Sequence, residues 1–386
     1  MAALMTILSA IGILITSFQS ILTAIFRRRS RFFAGGLRSQ AAAAPFSQPV
    51  VSILKPVCGL EDDLEGNLES FVNLSGVDYE VLLSVADPSD PAIAVVQRVV
   101  ERFPRAPFRL IIGGDPALES GNRKVARLIA ATPYARGETL FISDANVRVE
   151  PGDVAETIAA FRDPRVGCVS NLFTGAGATS FGASMESLHL LSFVVPGNVL
   201  AAFARVPCVV GKSMAISREA LHAIGGFEAF AGVLAEDQAI GLAVRRAGYD
   251  VVLSPLVVHN VVVKRTLRRA IDRQVRWNKI RYAFSRAMYS TEFLVNPLPF
   301  AILAALLGAQ VSIALLIAVT RIAQIALQAS ATNAPIRFRE LLLIPLLDLL
   351  QFFAQFIPYI DDRVTWRGYT ARLGPKTVLL DIARAA

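Results

Sequence analysis

The sequence predicts a soluble α/β domain with a mostly parallel sheet, set between apolar segments fit for a membrane. Three observations carry this reading. Residues 2–26 are almost uncharged and long enough to cross a bilayer, which takes roughly 20 residues. From Val50 to about Pro255, short apolar runs alternate with helical patterns, as strands and helices do in parallel α/β sheets. From Phe293 onward the chain turns apolar again. With 54% hydrophobic and 18% charged residues, the chain is too apolar for an ordinary soluble domain, where roughly 25% charged is usual.

The first apolar segment is followed at once by Arg27, Arg28, Arg29 and Arg31. A cleaved signal would carry its positive charge before the apolar run, so this order predicts a retained anchor. The positive-inside rule puts Met1 outside and the next segment in the cytosol. Ala41–Ala44 with Pro45 and Pro49 reads as linker. Strands are expected at Val50–Leu54, Glu80–Ala86, Arg109–Ile112, Thr139–Ser143, Gly167–Leu172 and Val209–Ile216. Helices are expected around Asp90–Phe103, Asn122–Ala131 and Pro151–Phe161. Ligands of such sheets bind beyond the carboxyl ends of the strands. Asp87 and Asp144 each fall one residue past a strand and so should face that crevice.

Ser184–Val210 is apolar but contains Glu186, His189, Pro196 and Arg205, which suits a buried or interfacial helix better than a span. Lys264–Arg286 reads as a basic amphipathic helix at headgroup level. Phe293–Gln328 fits two tilted crossings or one long helix. Leu341–Ile360 reads as a further span or a re-entrant segment, with Asp348 and Gln351 inside it.

The net charge of +8 comes from arginine, since lysine occurs only six times. Beside apolar spans, that balance belongs to a membrane surface or a phosphate-bearing substrate and not to nucleic acid. Cys58, Cys168 and Cys208 are odd in number and widely spaced, which indicates neither a disulfide framework nor a zinc site.

Asp144-Ala145-Asn146 ends a strand. A carboxylate there can hold a hard cation such as Mg²⁺ or Mn²⁺ against a departing diphosphate, or can simply cap the turn. Asp237, beside Glu236, opens the helical run Gln238–Ala247. It is either a helix cap or an ionised general base. Arg273, Arg276 and Trp277 share one helix face. Guanidinium groups suit phosphates and an indole packs on a sugar or lipid, though a basic interfacial helix with an anchoring Trp has the same pattern. Asp87 can accept from a uracil or ribose, or cap a turn. Lys55 and Lys124, the latter in Gly121-Asn122-Arg123-Lys124, can meet nucleotide phosphates or stand as plain surface. The three histidines have no metal spacing.

The order Asp87, Asp144, Asp237, Arg273-Gln274-Val275-Arg276-Trp277 resembles the acidic series and (Q/R)xxRW motif of ceramide glucosyltransferases. The likeness extends to Val51-Ser52-Ile53-Leu54-Lys55-Pro56-Val57-Cys58-Gly59, to Asp87-Pro88-Ser89-Asp90-Pro91-Ala92 and to Gly225-Gly226-Phe227. It spans roughly residues 50–290, and bacterial hopanoid glycosyltransferases look similar. The resemblance implies a GT-A fold with a Rossmann-like mixed sheet, a UDP-sugar donor, a membrane lipid acceptor, a divalent cation (Mg²⁺ or Mn²⁺) and inversion at the anomeric carbon. It makes Asp237 the catalytic base. By position it gives Asp87 to the uridine, Asp144 to the metal and diphosphate, and Arg276 with Trp277 to the diphosphate and acceptor; with the residues read above, the expected nucleotide-sugar set is Lys55, Asp87, Lys124, Asp144, Arg273, Arg276 and Trp277, and the expected metal pair is Asp144 with Asn146. Asn146 stands where a full DxD has its second Asp, which weakens the metal site or bridges it by water.

The expected organisation is an anchor at 1–26, a basic linker at 27–49, a cytosolic catalytic domain at 50–290 and a C-terminal membrane region with a basic tail at 291–386. The expected location is a bacterial inner membrane. UDP-glucose with ceramide is the first choice, and UDP-N-acetylglucosamine with a hopanoid polyol the second. A processive polysaccharide synthase would need more spans for its channel. A transporter or scaffold would place its polar residues in the spans, where only Asp348 and Arg321 hint at one.

Overall fold

Runs rich in Val, Ile and Leu become strands buried on both faces, and these line up as the centre of an eight-stranded sheet. The computed structural model describes residues 1–41, 51–366 and 369–384. It divides into two compact units, one of Arg29–Thr174 with Ala201–Val262, the other of Met1–Arg28, Gly175–Leu200 and Val263–Ala386.

The sheet belongs to the first of these. Its strands are β1 (Val51–Pro56), β2 (Tyr79–Val85), β3 (Phe108–Ile112), β4 (Thr139–Ser143), β5 (Val147–Arg148), β6 (Val166–Ala176), β7 (Ser213–Ser217) and β8 (Asp250–Val261). They lie in the order β3-β2-β1-β4-β7-β6-β8-β5. The β3-β2-β1-β4 half is parallel, while β7 runs antiparallel to both β4 and β6, and β5 antiparallel to β8. The sheet is therefore mixed. Leu54, Leu82, Leu140, Met214 and Ile216 from the strands pack with Leu128 and Val244 from helices Arg123–Ala131 and Glu236–Arg246 into one buried core.

Two strands escape the sequence pattern. β8 is broken by Ser254, Pro255, His259 and Asn260, and β5 has only two residues. β7 begins at Ser213, so 209–212 form a loop and not the start of a strand. Asp87 and Asp144 both lie at the carboxyl edge, past β2 and β4, with β1 between those strands.

Among the described residues, three helices are long and apolar enough to cross a membrane: Ala2–Arg28, Phe181–Phe203 and Val311–Thr332. The first belongs to a helix that continues to Ala41, so the stretch expected as linker from residue 27 begins as helix; residues 42–50 lie outside those described. Phe181–Phe203, expected to be a poor span, meets the length and apolarity test, yet 61% of it is buried inside the protein. The region 293–328 resolves into helices Pro297–Leu306 and Val311–Thr332, the former meeting Arg286–Val295 at a 63° bend. Ile344–Tyr359 is shorter than a full crossing, which corrects the expectation of a simple span there. The Lys264–Arg286 segment forms helix Leu267–Phe284.

A polar seam runs through the apolar helices. Arg321 meets Asp348 at two points, Nε to Oδ2 at 2.8 Å and Nη2 to Oδ1 at 3.1 Å, and donates from Nη1 to Gln324 Oε1 at 3.0 Å. Gln324 then donates to Ser17 Oγ, and Gln328 to Ser20 Oγ, both at 2.8 Å. The two charges that alone suggested a transporter are partners of each other, and a paired buried Arg and Asp need no ionic substrate to explain them.

Candidate active site

The antiparallel register of β4 and β7 builds the site. Ser143 pairs with Ser213, and one step further the Asp144 N–H donates to the Lys212 carbonyl at 3.2 Å. Asp144 and Lys212 are thus neighbours through backbone pairing. Lys212 Nζ lies 2.9 Å from Asp144 Oδ2 and 2.8 Å from Asn146 Oδ1, between the two side chains.

Lys124 approaches from the first turn of helix Arg123–Ala131. Its Nζ meets Asp144 Oδ1 and Glu236 Oε1, each at 3.0 Å, and the Gly211 carbonyl at 2.9 Å. The Gly121-Asn122-Arg123-Lys124 motif explains this placement. A Cβ on Gly121 would stand 2.4 Å from the Ala231 carbonyl oxygen, so only glycine fits that approach. Asn122 caps the helix by accepting the Lys124 and Val125 N–H groups, and its amide donates to Glu236 Oε2 at 2.8 Å and to the Val233 carbonyl. One residue therefore fastens the start of the lysine's helix to the start of the helix that carries Asp237.

Asp237 faces the same group. Its Oδ2 accepts the Gly211 N–H at 2.6 Å and its Oδ1 the Gln238 N–H at 2.8 Å. Gln238 accepts from Val209 N–H and donates to the Pro207 carbonyl, which pins the 207–211 loop beside the acid. Burial, and next the negative Glu236, push the Asp237 carboxyl up to about 6, against the pull of Lys124. For Asp144, burial also opposes ionisation, but Lys124 and Lys212 outweigh it and hold its carboxyl well below the usual range. Lys124 is desolvated too, yet Asp144, Glu236 and Asp237 keep it firmly protonated.

Lys55 lies elsewhere than expected. It is fully buried under the strand end, with its ammonium on Ser143 Oγ (3.2 Å) and the carbonyls of Asp144 (2.8 Å) and Val147 (3.3 Å) and over the Phe71 ring. Burial lowers its pKa to about 7, although Asp144 resists the shift. From this position it braces the 144–147 turn. Asp87 is exposed past β2, its carboxylate accepting from Ser89 N–H (2.8 Å) and Ser89 Oγ (2.6 Å), which holds it below the ordinary carboxylate range.

Arg273, Arg276 and Trp277 sit on helix Leu267–Phe284 of the other unit, all half-buried. There the buried Glu186 takes both Arg265 (3.0 Å) and Arg273 (2.5 Å), and the Arg273 guanidinium stacks over the Trp277 ring at 4.4 Å. His189 stacks on Phe193 and meets Trp277 edge-on. A cavity lies among Glu186, His189, Arg273, Gln274, Trp277 and Leu347.

The structure thus gathers Lys124, Asp144, Asn146 and Asp237 and adds Gly211, Lys212 and Glu236. Lys212 went unread because no periodicity shows which strands pair. The expected metal pair is a different matter. A hard divalent ion wants about six oxygen ligands. Asp144 and Asn146 offer two side chains, whose facing oxygens already take the Lys212 ammonium. Among the described residues, no group of three or more His, Cys, Asp or Glu could hold a metal. As arranged, the Lys212 ammonium takes the facing oxygens that such an ion would share with waters and a diphosphate.

The family model of glycosyl transferase family 21 matches residues 4–379. The chain belongs to that family. Ceramide glucosyltransferase 3 of Caenorhabditis elegans is 27% identical over 261 residues, 65% of this chain and 54% of that protein. Ceramide glucosyltransferase 1 of the same organism is 28% identical over 240 residues, 61% of this chain and 50% of that protein. The chain spans about half the length of these curated relatives. Among solved structures it is similar to the mannosyltransferase PcManGT of Pyrobaculum calidifontis in complex with GDP-Man and Mn²⁺, with a TM-score of 0.53 and 19% identity over 90% of this chain and 99% of that one. The fold is the GT-A type that the resemblance implied.

Proposed function

We propose that this family 21 member transfers glucose from UDP-glucose to the primary hydroxyl of ceramide, with inversion, at the cytosolic face of a membrane. The observation that carries the reading is the cluster at the carboxyl edge of the sheet, where Lys124 joins Asp144 to Glu236 beside Asp237. The family supplies the reaction class, and the relatives named as ceramide glucosyltransferases suggest donor and acceptor.

In the proposed step, Asp237 takes the proton of the lipid hydroxyl as that oxygen bonds to the sugar's anomeric carbon. The bond from that carbon to the diphosphate oxygen breaks from the opposite face, and UDP leaves. A base near 6 is ionised at neutral pH yet still basic enough to share the proton in the transition state. Asp87 is assigned to the uridine. The resemblance gives Arg276 and Trp277 to the diphosphate and acceptor; within their own unit Arg273, held by Glu186, stacks on the indole. No step is routed through a metal; a divalent ion arriving with the diphosphate is the alternative source of positive charge.

The test is UDP release by the detergent-purified protein given UDP-glucose, with and without ceramide, in parallel with Asp237→Asn. Ceramide-dependent release that the substitution abolishes supports the reading. Release that ignores ceramide refutes the acceptor and moves the test to hopanoid polyols with UDP-N-acetylglucosamine. No release with any pair refutes the enzyme.

A further inference from the structure

The Lys212 ammonium occupies the bite between Asp144 Oδ2 and Asn146 Oδ1, at 2.9 and 2.8 Å. That is where a metal spanning residues 144 and 146 would have to sit. We propose that Lys212 is the resident cation of the diphosphate site, doing for the leaving nucleotide what a divalent ion does at a two-carboxylate motif. The inference rests on the nucleotide-sugar reading above and goes beyond it, because it names a residue and a charge source that the resemblance does not supply.

Three further observations support it. The lysine is fixed by the backbone: Asp144 N–H bonds to the Lys212 carbonyl, and Lys212 opens directly into β7. Its side chain is only 15% exposed, unlike that of a loose surface lysine. The partner set also matches an ammonium better than a metal. One carboxylate and one neutral amide give a cation two acceptors at hydrogen-bond length, and Asp144's other oxygen is taken by Lys124. Asn in place of a second Asp leaves one negative charge fewer for a divalent ion, while keeping a good acceptor for N–H.

With a nucleoside diphosphate in place, Lys212 keeps Asp144 and turns the proton now given to Asn146 toward a phosphate oxygen. Asp144, held by Lys124 on its other side, acts as the positioning residue for that ammonium. The charge on the leaving diphosphate is then met by a group already in position, with little reorganisation during the reaction.

The experiment is calorimetric binding of UDP to the full chain in lipid nanodiscs, in EDTA and then in Mn²⁺, for wild type, Lys212→Ala and Lys212→Arg. The expected wild-type affinity in EDTA is within about threefold of that in Mn²⁺. Lys212→Ala should bind about tenfold to a hundredfold more weakly in EDTA, the worth of a charge-assisted hydrogen bond, and Lys212→Arg should keep most of the affinity. Mn²⁺ should restore Lys212→Ala, since the Asp144–Asn146 bite is then open. Wild-type binding that EDTA weakens tenfold or more overturns the inference, as does Lys212→Ala binding like wild type in EDTA. Should Lys212→Ala melt far below wild type, the EDTA comparison on wild type and Lys212→Arg decides alone. Failure of wild type to bind UDP in either condition refutes the nucleotide reading itself, a distinct result from metal-dependent binding.

Discussion

Replacing Asp237 with asparagine separates its chemistry from its structural part. The two carboxylate oxygens accept two N–H groups, from Gly211 at 2.6 Å and Gln238 at 2.8 Å. An amide has one acceptor oxygen, so one N–H is left facing an NH₂, at about 1–3 kcal/mol of stability. Part of that is offset, because burial and Glu236 already disfavour the charged form that the substitution removes. The rate should fall much further. Loss of a general base costs about 10²–10⁴-fold, roughly 3–5 kcal/mol of barrier. The assay is the initial rate of UDP release in nanodiscs with saturating UDP-glucose and ceramide, read beside the melting temperature. For wild type, the sign with pH is set by the raised carboxyl. Protonated Asp237 cannot accept the hydroxyl proton, so the rate falls about tenfold per pH unit below about 6 and levels off above it. An asparagine variant that keeps more than about a tenth of the rate, or a wild-type profile flat through pH 5, would refute the assignment of the base.

Three other perturbations test the surrounding structure. Gly211→Ala would put a Cβ 2.5 Å from Lys124 Nζ and 3.1 Å from the Asp237 Cβ, so activity should drop about tenfold or more with a small change in melting temperature. Lys124→Met leaves Asp144 and Glu236 without the cation between them. It should cost about 3–5 kcal/mol, measured as a fall in melting temperature. Asp348→Asn leaves Arg321 buried without its counter-charge; a clear drop in thermal stability in detergent is expected, also about 3–5 kcal/mol, and an unchanged melt would remove that pair from the account of stability.

The parallel half of the sheet was legible because buried strands announce themselves as uninterrupted apolar runs; Thr139–Ser143 was read to the residue. β8 was not, since Pro255 and the polar residues around it mimic a loop, and only its neighbours in the sheet make it a strand. Within the site, Asp144 and Asp237 were found from order along the chain. Lys212 could not be, because its importance comes from antiparallel pairing with β4 across some seventy residues, a long-range contact with no local signature. Lys55 had a second layer that the chain order does not show. Its position after a strand suggested a nucleotide contact, and in the fold its ammonium also bonds the Asp144 and Val147 carbonyls of the next turn.

The polar seam also orders the chain's biogenesis. Ser17 and Ser20 find their partners 307 and 308 residues later, so the helix that carries them waits through a long stretch of chain. At ribosomal rates of about 5–20 residues per second, that wait is roughly 15–60 s. What waits is only a pair of hydroxyls, which a helix can return to its own carbonyls, as Ser20 does to Thr16 at 2.8 Å. The expensive groups are made late and close together: Arg321 precedes Asp348 by only 27 residues. Groups that lipid tolerates poorly are therefore synthesised within seconds of their partners, and those it tolerates well are left to wait.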